Sequence, residues 1–240
     1  MSDITQRFST GAPQNLEQRF ASRAAHMKPS EIRSLFAVAS RPEIVSLAGG
    51  MPNLSALPMG MMADVVSNLV RDNGQEALQY GNGQGHPKLR EQICEVMALE
   101  GIRANPDDVL ITTGSQQALD LISRIFLDPQ DVVLCEAPSY VGALGTFHQY
   151  EASVVHVETD DNGLVPSALA EAIKSVRAAG RKIKFLYTIP NYKNPSGVLL
   201  PATRRTEILK ICREAGIFVV EDNPYGLLGF DKPSPNAMRA

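Results

Sequence analysis

From residue 108 onward the sequence alternates short apolar runs with amphipathic ones, and no other feature restricts the fold as much. Strand-like runs occur at DVLIT (108–112), DVVLCE (131–136), ASVVHV (152–157), IKFLYTI (183–189) and GIFVVE (216–221). Helix-like runs fill the gaps at 115–127, 139–149, 166–178 and 202–215. Such alternation predicts βαβ units, and hence an α/β fold with a mostly parallel sheet flanked by helices on both faces. Upstream, PSEIRSLFAVASRP (29–42) reads as a short amphipathic helix and EIVSLAGGMPN (43–53) as a short strand entering a glycine turn. GMMADVVSNLVRDN (60–73) has apolar residues three and four apart, the spacing of a helix face. HPKLREQICEVMALEG (86–101) reads as another helix, with Pro87 in its first turn and Gly101 as its stop. Residues 1–55 are expected to form an N-terminal arm and small-domain segment, and residues 56–240 the large domain.

Composition narrows the function classes. With 44% hydrophobic and 20% charged residues, the chain has ample material for a core. A net charge of −3 gives no reason to expect nucleic acid, and Arg204-Arg205 and Arg181-Lys182 read as solvated faces. No apolar run reaches membrane-spanning length, and the first twenty residues lack the apolar core of a signal peptide. Cys94, Cys135 and Cys212 are odd in number and widely spaced, which speaks against a disulfide framework or a zinc site and fits a reducing cytosol. His26, His86, His148 and His156 have no metal-ligand spacing, so no metal is expected.

Four loops at strand ends carry polar groups. In TTGSQQALDLI (112–122) a glycine turn opens a helix at Ser115-Gln116, where free N–H groups and the helix dipole favour an anion. Singly, Ser115 also reads as a plain N-cap. In EAPSYVGAL (136–144) Tyr140 begins the next helix, as a packing residue or as a plate for a planar ligand. In YTIPNYKNPSGVLLP (187–201) Asn191 and Asn194 are turn formers or amides aimed into a cleft. The fourth loop is EDNPY (221–225), where the buried strand ends in two carboxylates. A naked charge is costly there. The plain reading is a strand end meeting solvent; the sharper one is that one of the two acids faces something cationic at the carboxyl edge of the sheet, where open α/β folds bind ligands. The GNGQGH segment (81–86) follows a helix and a short extended stretch and lacks the acidic partner of a dinucleotide loop.

Taken together, SLAGGMPN (46–53), LQYGNGQGHPKLRE (78–91), TTGSQQALD (112–120), PNYKNPSG (190–197) and EDNPY (221–225) resemble the class I/II aminotransferases of fold type I, which use pyridoxal 5′-phosphate (PLP). Within them the resemblance is strongest to the kynurenine/2-aminoadipate, LysN-like group. It implies that Ser115 and Gln116 hold the PLP phosphate and that Tyr140 stacks on the ring. It further implies that Asn194 and Tyr225 hydrogen-bond the phenolic oxygen and that Asp222 pairs with the pyridine nitrogen. Tyr80 would reach the phosphate of a partner subunit's cofactor in a homodimer, Gly50 would lie against the substrate carboxylate, and Arg33 and Asn194 would also touch substrate. A carboxylate beside that nitrogen favours its protonated form, which gives Asp222 a cationic partner, and Glu221, sent to the other side by alternation, then reads as structural or solvent-facing. The implied reaction moves an amino group from an α-amino acid to a 2-oxo acid in the cytoplasm. 2-Aminoadipate, aromatic and branched-chain donors stay open, as do a β-lyase or decarboxylase activity and a non-catalytic PLP-binding regulator. In the resembled family the cofactor-bearing lysine lies in a Ser-x-x-Lys motif. None of the eight lysines here has a serine three residues before it. The large domain is therefore expected to be truncated on its C-terminal side, and these 240 residues to be inactive and poorly soluble or unstable by themselves.

Overall fold

The computed structural model describes residues 19–26, 41, 43–45, 54–229 and 232–240. The helix expected over 29–42 lies outside the described residues apart from Arg41, and of the strand expected over 43–53 only 43–45 are described, without regular structure. Among the described residues, short 3₁₀ turns at Ser22–His26 and Leu54–Ala56 precede the α-helices α1 (Met59–Ala77) and α2 (Pro87–Ala98), the latter with Pro87 at its start. Gly101, at φ +82°, lets the chain turn out of α2, and the Gly101 and Ile102 N–H groups bond back to Ala98 and Met97.

The alternating region follows as α3 (Ser115–Phe126), β1 (Val132–Glu136), α4 (Val141–Gln149), β2 (Ser153–Val157), α5 (Pro166–Ala178), β5 (Ile183–Thr188), α6 (Ala202–Glu214) and β6 (Phe218–Glu221). The hairpin β3 (Thr159–Asp160) and β4 (Gly163–Leu164) interrupts it between β2 and α5. Strands β2-β1-β5-β6 form one sheet in which every pairing is parallel. All four strands therefore end on the same edge of the sheet, and the loops that follow them converge there.

Alternation along the strands sorts two cores. Val132, Leu134 and Leu186 face one side and pack with Leu169, Ile173 and Val176 of α5 and Ile208 and Cys212 of α6. Val133, Cys135, Phe185 and Tyr187 face the other and pack with Leu119 of α3 and Ala143 and Phe147 of α4. Each fully buried aliphatic side chain contributes about 1.5–3 kcal/mol, so the two layers fix the helices on both faces.

Two expectations change. The run at 108–112 is not a strand: Pro106–Asp108 is a 3₁₀ turn, and Ile111 N–H bonds singly to Gln84 O. A strand needs a ladder, and no described strand pairs with this segment. The hairpin at 159–164 was not anticipated. Its signal is Asp161-Asn162-Gly163, with Gly163 at φ +87° and Asn162 N–H bonded to Asp160 Oδ1 at 2.8 Å. Arg204 then grips Asp160 with two bonds of 2.6 Å, so it is ion-paired and not simply solvated.

Candidate active site

At the carboxyl edge the β1 loop brings Tyr140, the β5 loop Asn191 and Asn194, and the β6 loop Asp222 and Tyr225. The start of α3 is tied through Gln116 to α4, the helix that Tyr140 caps. The N-cap of α3 is Gly114, at φ +74° and ψ 165°, and makes no side-chain cap. Ser115 is the first helical residue, so the N-cap reading of Ser115 is wrong. Thr113 N–H is satisfied by Gln117 Oε1, and Gln117 N–H by Gly114 O. The amides of Ser115 and Gln116 are left at the exposed helix start, where the dipole favours an anion. The Gln116 side chain donates to Thr146 Oγ1, which itself donates to Gly142 O at 2.9 Å, and so ties α3 to α4.

Tyr140 is the N-cap residue of α4 and does not lie inside the helix. Its half-buried ring lies against Gly142, where an added Cβ would sit 2.5 Å from the ring. A side chain at 142 would therefore displace the ring, so the position of Tyr140 depends on a glycine that motif reading did not single out. Ser139, one residue earlier, is buried with its hydroxyl unpartnered, an orphan polar atom on the same edge.

Asp222 and Glu221 part as alternation predicts. Asp222 N–H bonds to Thr188 O at 2.9 Å, and its Oδ2 accepts the Tyr187 hydroxyl at 2.6 Å. Its Oδ1 accepts no hydrogen bond from the described residues. Glu221 is half-buried and not solvent-facing, and its two oxygens accept Met238 N–H at 3.0 and 3.1 Å. Burial raises the Glu221 pKa, against the pull of the Met238 N–H and of Arg205. A carboxyl raised by folding stabilises the fold below the ordinary glutamate pKa and loses that contribution as pH climbs through the raised value. Glu221→Gln should therefore gain stability relative to the parent as pH rises from about 4 to about 7. Urea unfolding across that range checks this, and a pH-independent difference would contradict it.

Beneath the loops runs a chain of side chains that the sequence did not reveal. Arg205 is 3% exposed, the opposite of the solvated face read from its sequence. Its Nη2 donates to Asn191 Oδ1 at 2.6 Å, Asn191 Nδ2 to Asn223 Oδ1 at 2.7 Å, and Asn223 Nδ2 to Glu100 Oε1 at 2.6 Å. Asn191 is thus a buried tie between the β5 and β6 loops and does not aim into a cleft. The remaining Arg205 donors go to the carbonyls of Leu200, Pro235, Asn236 and Pro190. Gly226 lies under this chain, where a Cβ would collide with Glu100 Oε1.

Other sequence-derived site residues are more dispersed. Asn194 is exposed and Tyr225 half-buried. Tyr80 is completely exposed after α1 and touches none of the others by any described bond. Arg33 and Gly50 lie outside the described residues. Among the described residues no group of His, Cys, Asp or Glu could hold a metal, and no helix is long and apolar enough to cross a membrane.

An exposed helix start, a tyrosine plate and a half-open carboxylate on one edge fit a phosphate joined to a flat, cationic ring. Known proteins point the same way. The family described as aminotransferase class I and II matches residues 43–240. An aromatic-amino-acid aminotransferase of Thermococcus litoralis is 37% identical over 215 residues, covering 89% of this chain and 52% of that protein. A 2-aminoadipate transaminase of Thermus thermophilus is 38% identical over 218 residues, covering 91% of this chain and 52% of that protein. The crystal structure of a Pyrococcus horikoshii kynurenine aminotransferase, complexed with PMP, superposes with a TM-score of 0.86 at 37% identity, covering 94% of this chain and 56% of that one. The chain thus spans about half the length of the relatives it matches.

Proposed function

The chain belongs to the class I and II aminotransferase family, of fold type I, and on that premise we propose that it serves the transfer of an amino group from an α-amino acid to a 2-oxo acid. The observation that carries this reading is the placement of Tyr140 and the open oxygen of Asp222 at one sheet edge, with the exposed start of α3 tied through Gln116 to the helix that Tyr140 caps. Pyridoxal 5′-phosphate, the cofactor of this family, supplies an electron sink that withdraws charge from the substrate's α-carbon.

The residues divide the work. Ser115 and Gln116 hold the phosphate through amides at the start of α3, while the Gln116 side chain keeps α3 against α4. Tyr140 covers one ring face, kept in place by the small Gly142. Asp222 holds a proton at the ring nitrogen as its counter-charge. Asn194 and Tyr225 donate to the phenolic oxygen. Gly50, Arg33 and Asn194 bind the substrate. Residues 1–55 act as an arm and small-domain segment on the large domain of 56–240.

The cofactor-bearing lysine is not among the eight lysines of this sequence, none of which follows a serine by three positions. These 240 residues should bind PLP without turnover. The check is to add PLP to the purified chain, reduce with borohydride, map labelled lysines and assay transamination in parallel. One stoichiometrically labelled lysine together with turnover would overturn this assignment, and no PLP binding at all would overturn the cofactor site.

The working unit is a homodimer with shared sites. Tyr80 is fully exposed, and α1 buries none of its described residues while exposing Met61, Met62, Val65, Val66 and Leu69. A helix of that composition needs a cover. In a complete enzyme, mixing Tyr80→Phe subunits with Asp222→Ala subunits should restore activity above either parent, because both lesions fall in one site of the heterodimer. Proven subunit exchange without recovery would count against the shared site.

A further inference from the structure

Resting on the reading above, we propose that Tyr187 is the positioning residue for Asp222: its hydroxyl engages Oδ2 and thereby fixes Oδ1 as the oxygen that meets the ring nitrogen.

Tyr187 lies in β5, one register step before the pair Thr188 and Glu221, and its own pair is Val220 of β6. Two residues beyond Val220, on the same face, stands Asp222. The Asp222 N–H to Thr188 O bond holds its backbone to the end of β5. The hydroxyl of Tyr187 therefore meets the carboxylate diagonally, at 2.6 Å. The tyrosine ring cannot swing away. It is fully buried, and Phe147 of α4 packs edge-on against it at 5.5 Å and 74°. Cys135 and Phe185 belong to the same buried cluster.

The chemistry of the donor fits the task. Burial and the negative charge of Asp222 both push the tyrosine's ionisation upward, so the hydroxyl stays a neutral donor at neutral pH. A neutral donor orients a carboxylate without cancelling its charge, which a lysine or arginine in this place would do. The terminal torsion of aspartate is soft, so without the bond the carboxylate would rotate among orientations. With Oδ2 occupied, Oδ1 is the free acceptor, and a ring N–H is the donor that the proposed function brings to it.

The experiment is a double-mutant cycle on PLP affinity in this chain, which needs no turnover. Tyr187→Phe keeps the ring and its packing. It should weaken PLP binding about fivefold to tenfold when Asp222 is present, and less than about twofold in an Asp222→Ala background. With PLP labelled with ¹⁵N at the ring, Tyr187→Phe should also move the ring-nitrogen resonance toward the unprotonated position. A purely structural tyrosine would weaken binding by the same factor in both backgrounds and leave that resonance unchanged, and either result overturns the inference. A 3-fluorotyrosine at 187 covers the case in which Tyr187→Phe does not fold. Its ¹⁹F signal should move on saturation with PLP when Asp222 is present and stay fixed with Asp222→Ala, and a fixed signal in both overturns the inference. If the parent chain binds no PLP, the cofactor site and this inference fall together. If it binds PLP without coupling between Tyr187 and Asp222, this inference alone falls.

Discussion

Replacing Asp222 with alanine is expected to lower transamination by orders of magnitude in a complete aminotransferase carrying these residues, whereas Glu221→Ala should leave the rate far closer to that of the parent. The two acids are neighbours in sequence but opposite in surroundings. Asp222 has one oxygen on Tyr187 and the other open at the carboxyl edge, while both oxygens of Glu221 are committed to Met238 N–H on the far face. One pKa unit at the ring nitrogen is worth about 1.4 kcal/mol, a factor of ten. Losing a close counter-charge worth two such units or more gives at least a roughly hundredfold loss. Glu221→Ala instead removes an anchor for the C-terminal segment, so its effect should read out in stability. Single-turnover rates with a common amino donor, beside urea melts, compare the two. Equal rates for the two variants would sink the role given to Asp222.

Arg205→Met should be the most damaging single change to the fold, costing about 3–5 kcal/mol, the scale seen when one partner of a buried polar network is removed. That is a large share of the roughly 5–15 kcal/mol by which such domains are stable. The arginine spends its donors on the carbonyls of Leu200, Pro190, Pro235 and Asn236 and on Asn191, and each acceptor left dry costs about 1–3 kcal/mol before relaxation. Arg205→Lys should recover only part of the loss, since an ammonium has three donors and no planar fork. The PLP affinity of Arg205→Lys should fall as well, because Arg205 holds Asn191, whose side-chain amide donates to Asn223 and so ties the β5 loop to the β6 loop. Denaturant unfolding of the three proteins decides the matter, and a loss below about 1 kcal/mol for Arg205→Met would show that the network is not what holds the loops.

By itself, the sequence determined the α/β class, all four strands of the parallel sheet and all four helices around it. Period-two and period-3.6 patterns are local, and they are carried here by long, clean runs such as 132–136 and 166–178. It also determined that Glu221 and Asp222 part company, because alternation along a strand needs no knowledge of neighbours. The tertiary structure alone decided what depends on partners distant in the chain. Residues 109–112 have the composition of a strand, yet no described strand offers them a ladder. Arg205 looks like half of a surface pair until residues 190, 191, 200, 235 and 236 close around it. Asn223 meets Glu100 across 123 positions, and Tyr187 meets Asp222 across 35. Hydrogen bonds between side chains so far apart leave no periodic trace in a sequence, since each partner alone reads as an ordinary buried tyrosine, turn asparagine or surface arginine. Only the stacking of β1, β5 and β6 in register brings them within bonding distance, and with them the orientation of the one carboxylate on which the proposed chemistry depends.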